Sequence, residues 1–270
     1  MKIKANHFDV ESFKSKLSHL NHLDLSIFID SPPINQDDLS SINILVIQEP
    51  NEYFGIHDWA IKNQNLFSLI LTWDDKVINN CSNALLMPFG HTWFTPEQYY
   101  EPHPKKFQIS HLCGKLNKTY GHSLRHELLA RQNEIKTPIK FFDVYGERHD
   151  IEKARVGKEE VFGDSMFGVA IENTSHRGYF TEKILDCFLL KTIPIYWGCS
   201  NITDFFNYKG IIQVNNVDDM IYTINNLEED FYTSHKEVIE ENWLTAHNFV
   251  DYQQNIVTKI TKVLKNNQII

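Results

Sequence analysis

Short, nearly continuous apolar runs recur along this chain and alternate with stretches of helical period. Leu25–Ile29, Ile44–Gln48, Ser68–Thr72 and Ala84–Phe89 are such runs in the first part. Phe107–Leu112, Lys140–Val144, Phe167–Ile171, Ile193–Tyr196 and Ile211–Val214 follow in the second. A strand that is apolar at successive positions is buried on both faces, as a parallel strand under helices is. Helical patterns fall between the runs, near His122–Asn133, Glu182–Leu190, Asp218–Leu227 and Lys236–Asn242, with an amphipathic tail from Asp251 to Lys265. This alternation predicts an α/β architecture with parallel sheets.

The segment from Thr95 to Lys106 holds Pro96, Pro102 and Pro104 and no apolar period, so it is the expected boundary. The reading is an N-terminal domain over 1–103, a second domain over 104–250, and a tail helix over 251–270. The tail either crosses back onto the first domain or lies on a membrane surface. Lys259, Lys262 and Lys265 are only a weak membrane signal.

Charge narrows the partners. A net charge of −9 argues against a protein that coats nucleic acid or an anionic membrane. A hydrophobic content of 42% suffices for a packed core, which excludes wholesale disorder. Residues 1–103 contain no arginine; Arg125, Arg131, Arg148, Arg155 and Arg177 all lie in the second part. Cys81, Cys113, Cys187 and Cys199 form no CxxC pair, so free thiols are expected rather than zinc. The opening residues contain no apolar h-region, and no apolar run is long enough to span a bilayer. The expectation is a soluble, cytoplasmic chain without membrane association.

GxGxxG and GxxxxGK[ST] are absent, so neither a dinucleotide fingerprint nor a P-loop is indicated. The informative stretch begins at the buried strand Phe167–Ile171 and runs through Glu172 into a polar loop. Thr181 then caps a helix whose first turn carries Glu182 and Lys183. A helix N-terminus with a lysine suits a phosphate, and α/β sheets bind ligands at the carboxyl ends of their strands. An ordinary strand–loop–helix unit with a solvated Glu-Lys pair remains the alternative on this physics alone.

The stretch resembles the donor-binding region of glycosyltransferase family 10, the α-1,3/1,4-fucosyltransferases. The residues that carry the resemblance are Phe167, Glu172-Asn173-Thr174, Tyr179-Phe180-Thr181-Glu182-Lys183 and Thr192-Ile193-Pro194-Ile195-Tyr196-Trp197-Gly198. They lie in register, without a gap, in a match that continues to Phe205. The resemblance implies a GT-B fold of two facing Rossmann-like domains, a GDP-fucose donor and inversion at the anomeric carbon. It implies that Lys183 and Arg125 hold the donor diphosphate, and that Asn173, Tyr179 and Glu182 line the sugar and ribose. Glu49 stands where the family places its catalytic base, with Gln48 and Pro50 departing from the family's pattern and Glu52 as the alternative. A solvated carboxylate at a strand end is the bland reading of Glu49.

Asp74, Asp75 and His91 are the acceptor-side candidates, although a capping or turn role suits Asp74-Asp75 equally. No D-x-D triplet occurs, and no HExxH or H-x-H pair. No metal and no further cofactor are therefore expected, with lysine and arginine on the phosphates. The expected function is an inverting glycosyltransferase moving fucose from GDP-fucose to a hydroxyl of a glycan or polysaccharide. The alternatives are the same chemistry with another nucleotide sugar, and a catalytically silent carbohydrate-binding protein.

Overall fold

The computed structural model describes residues 1–6, 8–143 and 151–270, apart from the side chains of 143 and 151–156. Val144, the last residue of one expected strand, and Arg148 lie outside the described residues, as does the side chain of Arg155. The chain opens with β1 (Lys2–Ala5), α1 (Val10–Lys16), β2 (Leu25–Ile29), β3 (Ile42–Ile47), α2 (Asn51–Phe54) and α3 (Ile56–Lys62). It continues with β4 (Leu69–Thr72), α4 (Asp75–Asn80), β5 (Ala84–Leu86), α5 (Pro96–Tyr100), β6 (Lys106–Cys113) and α6 (Tyr120–Ala130). Then come β7 (Ile139–Asp143), α7 (Ile151–Phe162), β8 (Ser165–Ile171), α8 (Glu182–Leu189), β9 (Ile193–Trp197) and β10 (Ile212–Gln213). The chain closes with α9 (Val217–Asn226), α10 (Glu229–Ser234), α11 (Lys236–Ala246) and α12 (Tyr252–Asn266).

Each apolar run read as a strand is a strand, within a few residues at its ends. β1 was not expected, because Lys2 and Lys4 interrupt its apolar positions. It is an edge strand, paired only with β2, and an edge tolerates such charges. The chain divides into two α/β units. One comprises Met1–Phe89, Arg177–Tyr179 and Asp251–Ile270; the other comprises Gly90–His176 and Phe180–Val250.

In the first unit the five strands lie in chain order, β1-β2-β3-β4-β5, all parallel. Both faces are apolar, as the continuous runs require. Leu25, Ile27, Ile29, Ile44 and Val46 pack with Phe13 and Leu17 on one face; Phe28, Leu45 and Ile47 pack with Ile56 and Ala60 on the other. The tail helix α12 belongs to this unit. Asp251 caps it by accepting from the Gln254 N–H at 2.9 Å, and Ile256, Val257, Ile260 and Leu264 are buried in the same core as Phe13. The apolar stripe that made a membrane-surface helix conceivable is thus consumed in packing. Among the described residues, no helix is long and apolar enough to cross a membrane.

The division falls between Phe89 and Gly90, ahead of the proline-rich segment. That segment is not loose chain. Thr95 and Gln98 form a reciprocal capping box, Pro96 occupies the first turn of α5, and Tyr99 is buried in the core of the second unit. The Tyr99 carbonyl also accepts the Trp243 indole N–H at 3.2 Å. Pro96 thus starts a helix, while Pro102 and Pro104 lie in the connection between α5 and β6.

The second unit's sheet has the order β7-β6-β8-β9-β10, again all parallel. The chain passes from β6 outward to β7, then returns to β8 on the opposite side of β6. The strand order therefore reverses between β6 and β8, and α6 and α8 pack on opposite faces: α6 with the Ile109–Phe167 core, α8 with the Ala170–Tyr196 core. α8 alone buries Ile184, Leu185, Phe188 and Leu189, each worth roughly 1.5–3 kcal/mol relative to exposure. A doubly wound sheet leaves its ligand crevice at the carboxyl ends of the strands where the order reverses. All four cysteines are buried and free.

Candidate functional site

The switch point of the second unit is built around the residues that end β8. Glu172 is fully buried, and its N–H still follows the sheet by donating to the Trp197 carbonyl at 2.9 Å. Its carboxylate then turns to the start of α8. Oε1 accepts the Thr181 N–H at 2.9 Å and Oε2 accepts the Thr181 hydroxyl at 2.7 Å. Thr181 accepts in turn from the Lys183 N–H at 3.4 Å, the expected N-cap. Burial pushes the Glu172 carboxyl above its ordinary value, and Lys183, with Nζ 3.8 Å from Oε2, pulls it back.

Lys183 extends from the first turn of α8, with Nζ 3.1 Å from Thr181 Oγ1 and 3.0 Å from Glu182 Oε1. Burial works against the charge of Glu182, but Lys183, Lys158 and His91 outweigh it and hold the carboxyl well below the usual range. Burial lowers the His91 pKa itself, against the pull of Glu182 and Asp186. Lys158, on α7, reaches Asp186 at 2.9 Å and stands 3.9 Å from Glu182. Asp186 is completely buried and accepts a second hydrogen bond from Thr92 at 2.7 Å.

On the other face, α6 brings in Arg125. Its Nε donates to the Ile171 carbonyl at 3.0 Å and its Nη2 donates to Asn173 Oδ1 at 2.9 Å. The contact requires α6 to press its first turn onto the end of β8. Gly121 makes that possible: its N–H donates to the Asn173 carbonyl at 3.1 Å, and a Cβ there would sit 1.8 Å from the Glu172 carbonyl oxygen. Arg125, Asn173, Glu182 and Lys183, read separately from sequence, are thereby gathered at the carboxyl end of β8. His91 joins this group through Glu182, 3.6 Å away. Arg131 is a surface residue held by Glu127, Glu134 and Asp218.

Tyr179 is placed differently. With Arg177 and Gly178 it belongs to the first unit, where its ring is fully buried 4.9 Å from the ring of Trp73. Arg177 pairs with Asp75 at 2.9 Å, both side chains largely exposed.

In the first unit, Glu49 follows the end of β3, and its carbonyl accepts from His57 Nε2 at 3.0 Å. Asp74 caps α4 by accepting the Lys76 N–H at 2.7 Å, and its other oxygen stands 2.5 Å from His57 Nδ1. Burial of His57 opposes its protonation, yet Asp74 and the Glu49 carbonyl raise its pKa above the ordinary value. Asp30, 1% exposed at the end of β2, accepts the N–H groups of Gln48 and Glu49. Burial pushes its carboxyl up to about 7. Sequence reading placed Glu172 in the motif without giving it a role, and passed over Lys158, Asp30 and His57. Asp30 had a signal, an acid closing an apolar run as Glu49 does; Lys158 and His57 had none, because Asp186 and Asp74 lie on other elements. Among the described residues, no group of three His, Cys, Asp or Glu side chains is placed to hold a metal.

The family model for glycosyltransferase family 10 (fucosyltransferase), C-terminal part, matches residues 104–263. The chain belongs to this family. Within it, the α-(1,3)-fucosyltransferase FucT of Helicobacter pylori is 42% identical over 57 residues, covering 21% of this chain and 12% of that protein. The matched stretch is thus a small part of that relative's length. A crystal structure of an α1,3-fucosyltransferase covers 98% of this chain and 89% of its own, with a TM-score of 0.60 at 19% identity. A crystal structure of an α1,3-fucosyltransferase with GDP-fucose superposes with a TM-score of 0.56, at the same identity. At such identity the likeness concerns the fold, which is of GT-B type. The family match contains Arg125, Asn173, Glu182 and Lys183; Glu49 lies before it.

Proposed function

We propose that this family 10 chain is an inverting glycosyltransferase that moves fucose from GDP-fucose to a hydroxyl of a glycan or polysaccharide. The observation that carries the proposal is the anchoring of Arg125 and Lys183 on the residues that end β8, at the reversal of strand order. When the anomeric C1–O bond breaks, negative charge grows on the leaving diphosphate. Cations fixed beforehand stabilise that charge more in the transition state than in the ground state. No metal is needed in this scheme. Asn173, oriented by Arg125, and Glu182, kept ionised by Lys183 and Lys158, are the polar groups proposed for the donor's sugar and ribose hydroxyls.

Inversion requires the acceptor oxygen to attack C1 on the face opposite the diphosphate. As the new C1–O bond forms, the acceptor's proton passes to a carboxylate, for which we assign Glu49. GDP leaves with the electrons of the broken bond. Asp74 enters the scheme through His57 rather than through an acceptor hydroxyl, and Tyr179 through its packing on Trp73. The match to the fucosyltransferase family supports this donor, with a fold observed with GDP-fucose beside it.

The deciding experiment is a donor panel of GDP-fucose, GDP-mannose and UDP-sugars, with NMR of the product's anomeric configuration. The expected result is saturable GDP-fucose turnover with inversion. Preference for another nucleotide sugar would redirect the donor assignment, and absence of nucleotide-sugar binding would remove the enzymatic reading altogether.

A further inference from the structure

β3 ends at Ile47, and Gln48 and Glu49 leave the sheet in a buried place. Main-chain groups that leave a ladder there must find other partners. Around these two residues, side chains supply them. Asp30 Oδ1 accepts the Gln48 N–H at 3.0 Å, and Oδ2 accepts the Glu49 N–H at 3.2 Å. The Trp73 indole N–H donates to the Gln48 carbonyl at 2.7 Å. His57 Nε2 donates to the Glu49 carbonyl at 3.0 Å. These three side chains come from the end of β2, the end of β4 and α3, and all are buried.

The holders are themselves held. A carbonyl oxygen only accepts, so His57 Nε2 carries a hydrogen. Nδ1 faces the Asp74 carboxylate at 2.5 Å and carries one as well. The ring is therefore an imidazolium whose charge Asp74 answers. Asp30 takes its position with φ 46°, a region that residues other than glycine rarely adopt and that must be enforced by its surroundings. Trp73 is flanked by Tyr179 and by Gly178, where a Cβ would meet the Trp73 carbonyl oxygen at 2.6 Å.

We propose that Asp30, His57 and Trp73 are positioning residues, a cradle that fixes the Gln48–Glu49 main chain and so aims the Glu49 carboxylate. The inference rests on the assignment of Glu49 as the base. With the N–H and carbonyl of both residues engaged, the point from which the Glu49 side chain leaves the backbone is fixed. Proton abstraction is sensitive to placement on the scale of an ångström, so such a cradle acts on turnover rather than on donor binding. The charges facing Glu49 from the surrounding elements, Asp30 and the His57–Asp74 pair, are part of the same device.

The test uses the full chain and GDP-fucose, with GDP release to water as the readout, so no acceptor has to be known. Glu49→Gln is expected to abolish release and leave GDP-fucose affinity intact. His57→Leu is expected to lower kcat about 10- to 100-fold, with KM for GDP-fucose moving by less than about twofold. His57→Gln, whose amide can still donate to the Glu49 carbonyl, is expected to recover part of that loss. Asp30→Asn, which puts a donor where an acceptor stood, is expected to lower kcat in the same manner and serves if His57→Leu does not fold.

Wild-type release by Glu49→Gln, or no release by the unaltered chain, overturns the base reading and this inference with it. Loss in Glu49→Gln with wild-type kcat in the folded His57 and Asp30 variants overturns the cradle alone. A loss that appears in KM instead of kcat, or equal losses in His57→Leu and His57→Gln, also overturns it.

Discussion

Glu172 grips Thr181 twice, once through the Thr181 N–H at 2.9 Å and once through its hydroxyl at 2.7 Å. The residue that follows β8 thereby fixes the first turn of α8, and with it Lys183. Replacing Thr181 by Val keeps the shape and removes the hydroxyl, so both the cap and one arm of the grip are lost. The expected cost is about 1–2 kcal/mol of stability, together with weaker GDP binding. Urea denaturation and calorimetric titration with GDP check the two effects; unchanged GDP affinity would separate the cap from the site.

Lys158 answers the charge of Asp186, which has no exposure. Lys158→Met removes the cation and leaves a buried carboxylate held by the Thr92 hydroxyl. Breaking such a pair from one side costs about 3–5 kcal/mol. The double replacement Lys158→Met with Asp186→Leu is expected to regain much of that stability. Chemical denaturation of the two variants decides it, and a single variant as stable as the parent argues against the pair.

Lys183→Ala is expected to lose about 2–4 kcal/mol of transition-state stabilisation, the scale of an electrostatic stabiliser. Arg125→Lys keeps a positive charge but gives up the planar guanidinium that reaches Ile171 and Asn173 together. A reduced kcat/KM in both variants, read from GDP release, is the expected outcome. A rate unchanged in Lys183→Ala would reject its role on the diphosphate.

The pH response of the first unit follows from Asp30. Its carboxyl is raised from 3.8 to about 7 in the folded chain, so folding takes up a proton between those values. The associated stability is fully present below pH 3.8 and is lost as pH rises through about 7. His57, also raised, loses its contribution in the same direction, above its unfolded value of 6.5. The melting temperature is expected to fall between pH 6 and 8, and to fall less in Asp30→Asn. Parallel melting curves for the two proteins would contradict the assignment.

Gly178 adopts φ 76° beside the Trp73 carbonyl. Gly178→Ala combines backbone strain with a close contact and is expected to destabilise by more than about 1 kcal/mol. Urea denaturation of the variant beside the parent checks the loss, and equal stability would contradict it.

Much of this architecture was legible in sequence because it depends on local pattern. Apolar runs such as Phe167–Ile171 declare strands buried on both faces, and Thr181-Glu182-Lys183 declares a helix start. β1 was illegible because an edge strand is permitted its lysines. The helix α5 was illegible because proline both ends chains of regular structure and begins helices, and only the Thr95–Gln98 capping box tells which. Within the site, the contributions of Asn173, Glu182 and Lys183 came from a contiguous motif and its resemblance, and that of Arg125 from the resemblance alone. Glu172's grip on Thr181, the Lys158–Asp186 pair and the His57–Asp74 pair depend on chain segments meeting in space, which periodicity does not encode.

The tail helix α12 carries a consequence for how the molecule is made. Lys16 pairs with Asp251 and His19 meets Thr261, while Ile256, Ile260 and Leu264 complete the core begun by Phe13 and Leu17. Contacts spanning nearly the whole chain are the slowest to form. During synthesis the strands of this unit must therefore wait for Asp251–Ile270. The unit bearing Glu49 is begun before the second unit and completed only after it. A nascent chain halted before Asp251 would expose an unfilled apolar face.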